Sequence, residues 1–371
     1  MALGAAQKLN GTDASTGAAT TAAQLTIENS SGFGNRYDFN GRAIGQTTGT
    51  SVSTVSAPAY YSTVTDALAT ASSGNEVTGS LAKHVRITIT GQRPLLFWSF
   101  LPLVTDRNVT VLATAVAGIS APLCMACGIE PFAVAAIDQS DATDFGFTLG
   151  TKYSFTYLCT GTPTPTLLPP GTQMLNYVIL NRLDPNAVVF PDEASQAFRD
   201  GAGGLPGNTN SAQACFAVNT SEVIWTNAAV NMCSANQVAP VVTEALCGLD
   251  TRFETDIQAA CQGITGVDVL STIYQPDTDR NDYDSYADYS GDGRRIITIP
   301  IVDTVSGTTS MNVLGFRQFL ISPSEGAANL NPADPYGRFV AMYIGSVAPV
   351  KQGRFDGCRQ SAGPGKVVLH Q

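Results

Sequence analysis

Aspartates at alternating positions make the segment 277–292 the best candidate for a ligand site in the sequence. Carboxylate and amide oxygens are the ligands that Ca²⁺ prefers, and an alternating spacing opens many calcium-binding loops. Asp282 stands where such a loop needs a glycine for its sharp turn. The pattern is therefore compatible only with a looser calcium site, and the candidate ligands are Asp277, Asp279, Asn281, Asp284 and Asp288.

Three other interpretations of this segment compete with a calcium site. The most ordinary is a solvated acidic loop, neutralised in part by Arg280, Arg294 and Arg295. The tyrosines at 283, 286 and 289 indicate local packing more often than an exposed patch for carbohydrate or protein contact. A pair of carboxylates could also serve a secreted hydrolase, but the sequence gives no separation between them to test.

Histidine is the usual general base near neutral pH, and the chain has only His84 and His370. His84 opens a predicted strand, which favours a structural role, and His370 is the second-last residue of the sequence. No nucleophile elbow, zinc-protease helix or phosphate-binding loop occurs in the sequence. We therefore predict no catalytic and no cofactor-binding residue, and a protein that is not an enzyme.

Eight cysteines follow residue 120, and their even number favours disulfides in an oxidising compartment. Cys124 and Cys127 have the spacing of a redox or zinc pair, but the residues that follow are not typical of a helix, so a structural clip is the preferred interpretation. The sequence does not choose among the possible pairings. The disulfide candidates are Cys124, Cys127, Cys159, Cys215, Cys233, Cys247, Cys261 and Cys358.

The net charge and the composition narrow the class of protein. The formal net charge is −10, which disfavours contact with nucleic acid and with anionic membranes. Charged residues make up 13% of the 371 residues, against about 25% in an average domain. Apolar residues make up 44%, which is enough for packed domains. No stretch approaches the roughly 20 apolar residues that a membrane span needs.

The first part of the chain is expected to hold helices and a β-α-β unit. Helical patches are predicted for 2–9 and, after Asp13 as N-cap, for a second stretch ending near Ile27. Alternating apolar residues predict strands over 85–90 and 109–117, with a buried helix over 95–101 between them. Further predicted strands are 153–158, 175–180, 295–302, 313–321 and 339–347, and short helices are expected over 62–71, 241–249 and 253–261.

Several blocks resemble the TadE/TadG-like family of the tight-adherence (Flp-type) pilus system. The first is the Ala-rich ALGAAQKLNGTDASTGAATTAAQ, followed by VRITITGQRPLLFWSFL, VTVLATAVAG and CMACGIEPFAV. The late blocks RRIITIPIVDTVSGTTSMNVLGFRQFLI and GRFVAMYIGSV resemble the C-terminal strands of longer members. The resemblance leaves the middle of the chain, roughly 140–290, poorly anchored.

The resemblance implies an α+β fold. A pilin-like N-terminal helix and a β-α-β unit would form a domain over 1–120, and a mainly β, disulfide-containing domain would cover 121–371. It also implies a minor pilin or accessory subunit outside the cytoplasmic membrane, with a membrane anchor upstream of residue 1. Its partners would be other filament subunits or further copies of itself, met first through the Ala-rich N-terminus. The alternative function is a secreted hydrolase or carbohydrate-binding protein that uses the segment 277–292.

Overall fold

The computed structural model describes twelve parts of the chain. They are residues 1–27, 53–69, 74–94, 108–158, 165–180, 198, 215–222, 240–253, 258–264, 276–305, 310–322 and 330–370. The predicted helix 95–101 lies outside these ranges, as do Cys159 and Cys233. Contacts divide the chain into two compact units: unit 1 is Met1–Ile119 with Val367–Gln371, and unit 2 is Ser120–Lys366.

Strands dominate the described residues. The helices are α1 (Ala2–Ala6), α2 (Ser15–Ile27), α3 (Val64–Leu68) and α4 (Pro240–Asp250). Turns of 3-10 helix cover Gly79–Leu81, Ala259–Cys261 and Tyr286–Asp288. The strands are β1 (Ser53–Val55), β2 (Ala59–Tyr61), β3 (His84–Pro94), β4 (Asn108–Ile119), β5 (Met125–Cys127), β6 (Phe132–Ala135), β7 (Lys152–Tyr157), β8 (Met174–Ile179), β9 (Cys215–Ala217), β10 (Ser221–Glu222), β11 (Ile296–Val302), β12 (Met311–Ile321), β13 (Phe339–Gly345), β14 (Gln352–Arg354) and β15 (Val367–His370).

Unit 1 is an open sheet with strand order β1-β3-β4-β15, and β2 also pairs with β3. β3 and β4 run antiparallel along their whole length, from His84 opposite Gly118 to Pro94 opposite Asn108. Alternation along β3 sends Val85 and Ile87 to the face covered by α1 and α2. The opposite face carries a small cluster in which residues of α3 pack against β2 and β4.

The predicted α+β fold with a pilin-like helix is wrong, because the described structure is mainly β and its helices are short. α1 has five residues and α2 has thirteen, separated by a turn. Ala2, Ala5, Ala6 and Leu9 are all buried within unit 1, so the Ala-rich face is already used for packing. The β-α-β arrangement is wrong as well, since β3 and β4 are antiparallel neighbours. No helix in the described ranges is long and apolar enough to cross a bilayer.

Unit 2 is built on a sheet that closes on itself. Its order is β12-β11-β6-β8-β7-β13, and β13 pairs again with β12, while β10 adds to the outside of β12. Alternate residues point inward, as in β7, where Tyr153, Phe155 and Tyr157 enter the core. Apolar residues of α4 join the same core. The predicted strands 153–158, 175–180, 295–302, 313–321 and 339–347 and the predicted helix 241–249 are confirmed to within two residues at most ends.

The outer surface of the closed sheet is covered on two sides. A small sheet of order β14-β5-β9 packs its Ala126 and Phe216 against Ala133, Val178 and Val313. On another side, the segment 276–295 lays its tyrosines over Leu320 and neighbouring residues. As a result, strands such as β7, β11 and β13 are buried on both faces.

Candidate functional site

The acidic segment lies against the outside of the closed sheet in unit 2. Tyr289 is fully buried against Leu320, Met342 and Ile344, and Tyr283 and Tyr286 pack at the margin of this cluster. Tyr286 and Tyr289 are stacked, with ring centroids 5.9 Å apart. The recurring tyrosines therefore anchor the segment to the sheet, which is the packing role that their spacing more often indicates.

Asp277 and Asp279 are buried, and the protein itself supplies their hydrogen-bond donors. The Asp277 carboxylate accepts from the N–H of Asp279 (2.9 Å), from the N–H of Arg295 (3.0 Å) and from the Tyr289 hydroxyl. The Asp279 carboxylate accepts from the N–H groups of Ser290 (2.8 Å) and Asn281 (3.0 Å) and from the Tyr283 hydroxyl (2.9 Å). Burial alone would raise the pKa of Asp279, but these hydrogen bonds outweigh it and the pKa is lowered.

The other three candidate ligands do not complete a site. The side-chain amide of Asn281 donates to the Asp279 carboxylate, and the backbone carbonyl oxygen of Asn281 accepts from Arg295 (2.8 Å). Asp284 is fully exposed and lies 3.8 Å from the Lys152 ammonium, and Asp288 is exposed. Within the described ranges, no group of three or more His, Cys, Asp or Glu side chains could hold a metal ion. A calcium site here stays a prediction that the arrangement of donors does not favour.

Arg295 is the buried centre of this segment. Its guanidinium donates to the carbonyl oxygens of Ile321 (3.0 Å), Asp279 (2.8 Å) and Asn281 (2.8 Å), which ties the acidic loop to the end of β12. The group also lies over the rings of Phe253 and Tyr289. The acidic residues and this arginine together form a fold-stabilising network.

Three disulfides lie among the described residues of unit 2. They join Cys124 to Cys358, Cys127 to Cys215 and Cys247 to Cys261. The close pair Cys124 and Cys127 is thus divided between two distant partners, which is the arrangement of structural cross-links and not of a redox pair. Disulfides of this kind are compatible with an extracellular protein.

The two histidines of the chain meet in unit 1. His84 at the start of β3 and His370 at the end of β15 flank β4, and their ring centroids are 5.2 Å apart. Burial, His370 and Lys83 lower the pKa of His84 to about 4, so this imidazole is neutral at physiological pH. The sequence analysis missed this meeting, because the two residues are brought together by β15, a C-terminal strand that it did not predict.

The front part of β4, in unit 1, exposes apolar side chains. β15 pairs with β4 only at Val116–Ile119, and no described strand pairs with the outer edge of residues 108–115. Every side chain from 109 to 115 is exposed, including Val111 at 50% and Leu112 at 63%. We call residues 108–115 the β4 edge. In the sequence, this edge could have been suspected from the lack of any charged residue in Asn108–Ile119.

Comparison of the chain with protein-family models, with curated proteins and with solved structures gives no significant match.

Proposed function

We propose that the protein is an extracellular structural subunit of a bacterial surface filament of the tight-adherence type, and that it acts by assembly. The observation that carries this proposal is the β4 edge, where a long strand paired with β3 on one side is exposed, uncharged and without a described partner on its other side. A free strand edge presents a row of N–H and C=O groups that another strand can pair with. The resemblance of the sequence blocks to the TadE/TadG-like family supports the filament class.

The β4 edge lacks the usual protection of exposed strands. Natural edges are commonly guarded by lysine, proline or a bulge, because these block pairing with another chain. β4 has no charged residue and no proline, and its register with β3 is continuous. An edge of this kind is expected where pairing with another chain is part of the function.

The occupant that we propose is the β4 edge of a second copy. Two chains that each carry a net charge of −10 repel one another, so a contact between copies is favoured where both surfaces are uncharged. In an edge-to-edge pair of β4 strands, no like charges of β4 face each other in any register. A two-fold contact of this type forms a dimer, and a filament would add dimers through a further surface.

The cross-links support the extracellular part of the proposal. All eight cysteines lie in the sequence range of unit 2, and three disulfides are formed among the described residues. Disulfides persist outside the reducing cytoplasm. A subunit exposed to shear and to changing conditions gains from such cross-links, because they limit unfolding of the chain.

The test is fractionation of filaments sheared from cells that express the chain. We expect the wild-type chain in the filament fraction, and we expect Leu112→Asp to be lost from it. Leu81→Asp is the matched control, because Leu81 is also 63% exposed in unit 1 but lies outside β4. Filaments that lack the wild-type chain, or that retain Leu112→Asp as well as they retain the control, would contradict the proposal.

A further inference from the structure

We infer that His84 and His370 form a two-imidazole binding site for a divalent transition-metal ion of the Zn²⁺ type. Imidazole nitrogen is a preferred ligand of zinc, copper and nickel ions. Both histidines belong to unit 1, and neither is part of the β4 edge or of the acidic segment, so the site goes beyond the structural role proposed above. It would join the last described strand of the chain to β3.

Each of the two histidines has one ring nitrogen without a described partner. Nδ1 of His84 and Nε2 of His370 are both buried, and neither has a hydrogen-bond partner among the described residues. Buried polar atoms are nearly always partnered, so an exception needs an explanation such as a bound ion. Two unpartnered nitrogens, one on each of two neighbouring rings, are the donor set of a small metal site.

The distance between the two rings is compatible with a shared ion. Zinc bonds an imidazole nitrogen at about 2.0–2.1 Å, so two rings on one tetrahedral ion have centroids about 5 Å apart. The centroids of His84 and His370 are 5.2 Å apart, and their planes are inclined by 71°. The separation therefore suits a single ion bound by both rings.

The sheet holds His84 opposite a glycine. Across the β3–β4 ladder its partner is Gly118, and a Cβ added to Gly118 would lie 2.0 Å from Nδ1 of His84. Glycine is therefore required opposite this histidine, because any other residue would displace the ring. On the other side of β4, His370 pairs with Val116, so its side chain leaves the same face of the sheet.

The charges around the pair set the expected strength of binding. Lys83 is near enough for its positive charge to act on His84, and this charge opposes a bound cation. Arg86, on the same face, is held by the Tyr61 hydroxyl and by the carbonyl oxygen of Ala69.

The experiment is calorimetric titration of the full chain with ZnCl2 at pH 7. We expect saturable binding of one ion, weakened at least tenfold by His84→Gln and by His370→Gln. The matched controls are Asp284→Asn and Asp288→Asn, which remove exposed carboxylates of unit 2 and should leave the affinity unchanged. Equal affinity in wild type and histidine variants, or loss of binding in the aspartate controls, would overturn the inference.

A second measurement removes the dependence on variants that could misfold. The chain has only two histidines, so the imidazole resonances in an NMR spectrum of the wild-type protein belong to this pair alone. We expect one equivalent of Zn²⁺ to shift the resonances of both rings. If neither ring responds at tenfold excess of Zn²⁺, the site does not exist; if both respond, the pair binds the ion directly.

Discussion

The two units of this chain differ in how their strand edges are paired. In unit 2 the sheet closes, so that its strands pair on both sides, and disulfides and buried arginines hold the surrounding segments. In unit 1 the sheet is open, the edge of β4 is unpaired among the described strands, and two buried imidazole nitrogens have no described partner. The closed sheet of unit 2 leaves none of its six strands with a free edge, although Nη2 of Arg295 and Oγ of Ser346 are buried there without a described partner, whereas unit 1 presents a strand edge that another chain could pair with. Among the described strands, the main sheet of unit 2 is therefore closed, whereas β4 of unit 1 is open along part of its length.

The largest expected effect is that of reducing the disulfides. The cross-links span 234, 88 and 14 residues, and loops of such lengths contribute about 3–5 kcal/mol each in the chain-entropy account. We expect reduction to destabilise unit 2 by about 5 kcal/mol or more and to leave unit 1, which contains no cysteine, unchanged. Residue-resolved hydrogen exchange measures both units in one sample. If reduction accelerated hydrogen exchange equally in β3 of unit 1 and β11 of unit 2, the distinction between the units would be contradicted.

The next effect is that of Arg252→Met in the core of unit 2. Arg252 pairs with Glu130 at 2.6 Å and donates to the carbonyl oxygens of Phe198 and Arg294, so its loss leaves a buried carboxylate without its cation. Such a loss costs about 3–5 kcal/mol, which chemical denaturation would measure. Arg354→Met is the control, because the Arg354 side chain is exposed, and it should change stability by less than about 0.5 kcal/mol. Similar values for the two variants would contradict the assigned role.

A smaller loss of stability is expected when the pH is lowered, and it concerns unit 1. The pKa of His84 is about 4 in the folded chain and about 6.5 when unfolded, so between these pH values only the unfolded state takes up the proton. The stability that this histidine contributes is present above about pH 6.5 and is lost as the pH falls to about 4. We expect a loss of about 2 kcal/mol in the β3–β4 ladder. His84→Gln should remove this pH dependence; an unchanged dependence would exclude His84 as its source.

The sequence predicted local elements better than their pairing. Strict alternation identified β11, where Ile297, Ile299 and Ile301 point into the core. The same kind of pattern identified β3 and β4, but alternation does not determine whether two strands run parallel or antiparallel. The connection between them was long enough for either arrangement, so the β-α-β unit was the wrong choice. Closure of the unit 2 sheet through β12 and β13 depends on long-range register, which no single segment encodes.

The candidate site shows a similar limit. Alternating aspartates suit calcium, yet Asp277 and Asp279 face inward to backbone N–H groups and tyrosine hydroxyls. Composition does not reveal which donors the fold places beside a carboxylate. For the β4 edge, the lack of charge was visible in the sequence, but its exposure followed only from the short overlap with β15.

The central claim, that the β4 edge joins copies of the chain, is tested most directly by sedimentation velocity of the purified protein. We predict a concentration-dependent dimer for the wild-type chain and for Leu81→Asp, and a monomer for Leu112→Asp at the same concentrations. The two variants match in added charge and in exposure of the replaced leucine. A wild-type chain that stays monomeric at every concentration, or a Leu112→Asp variant that dimerises like Leu81→Asp, would contradict the claim.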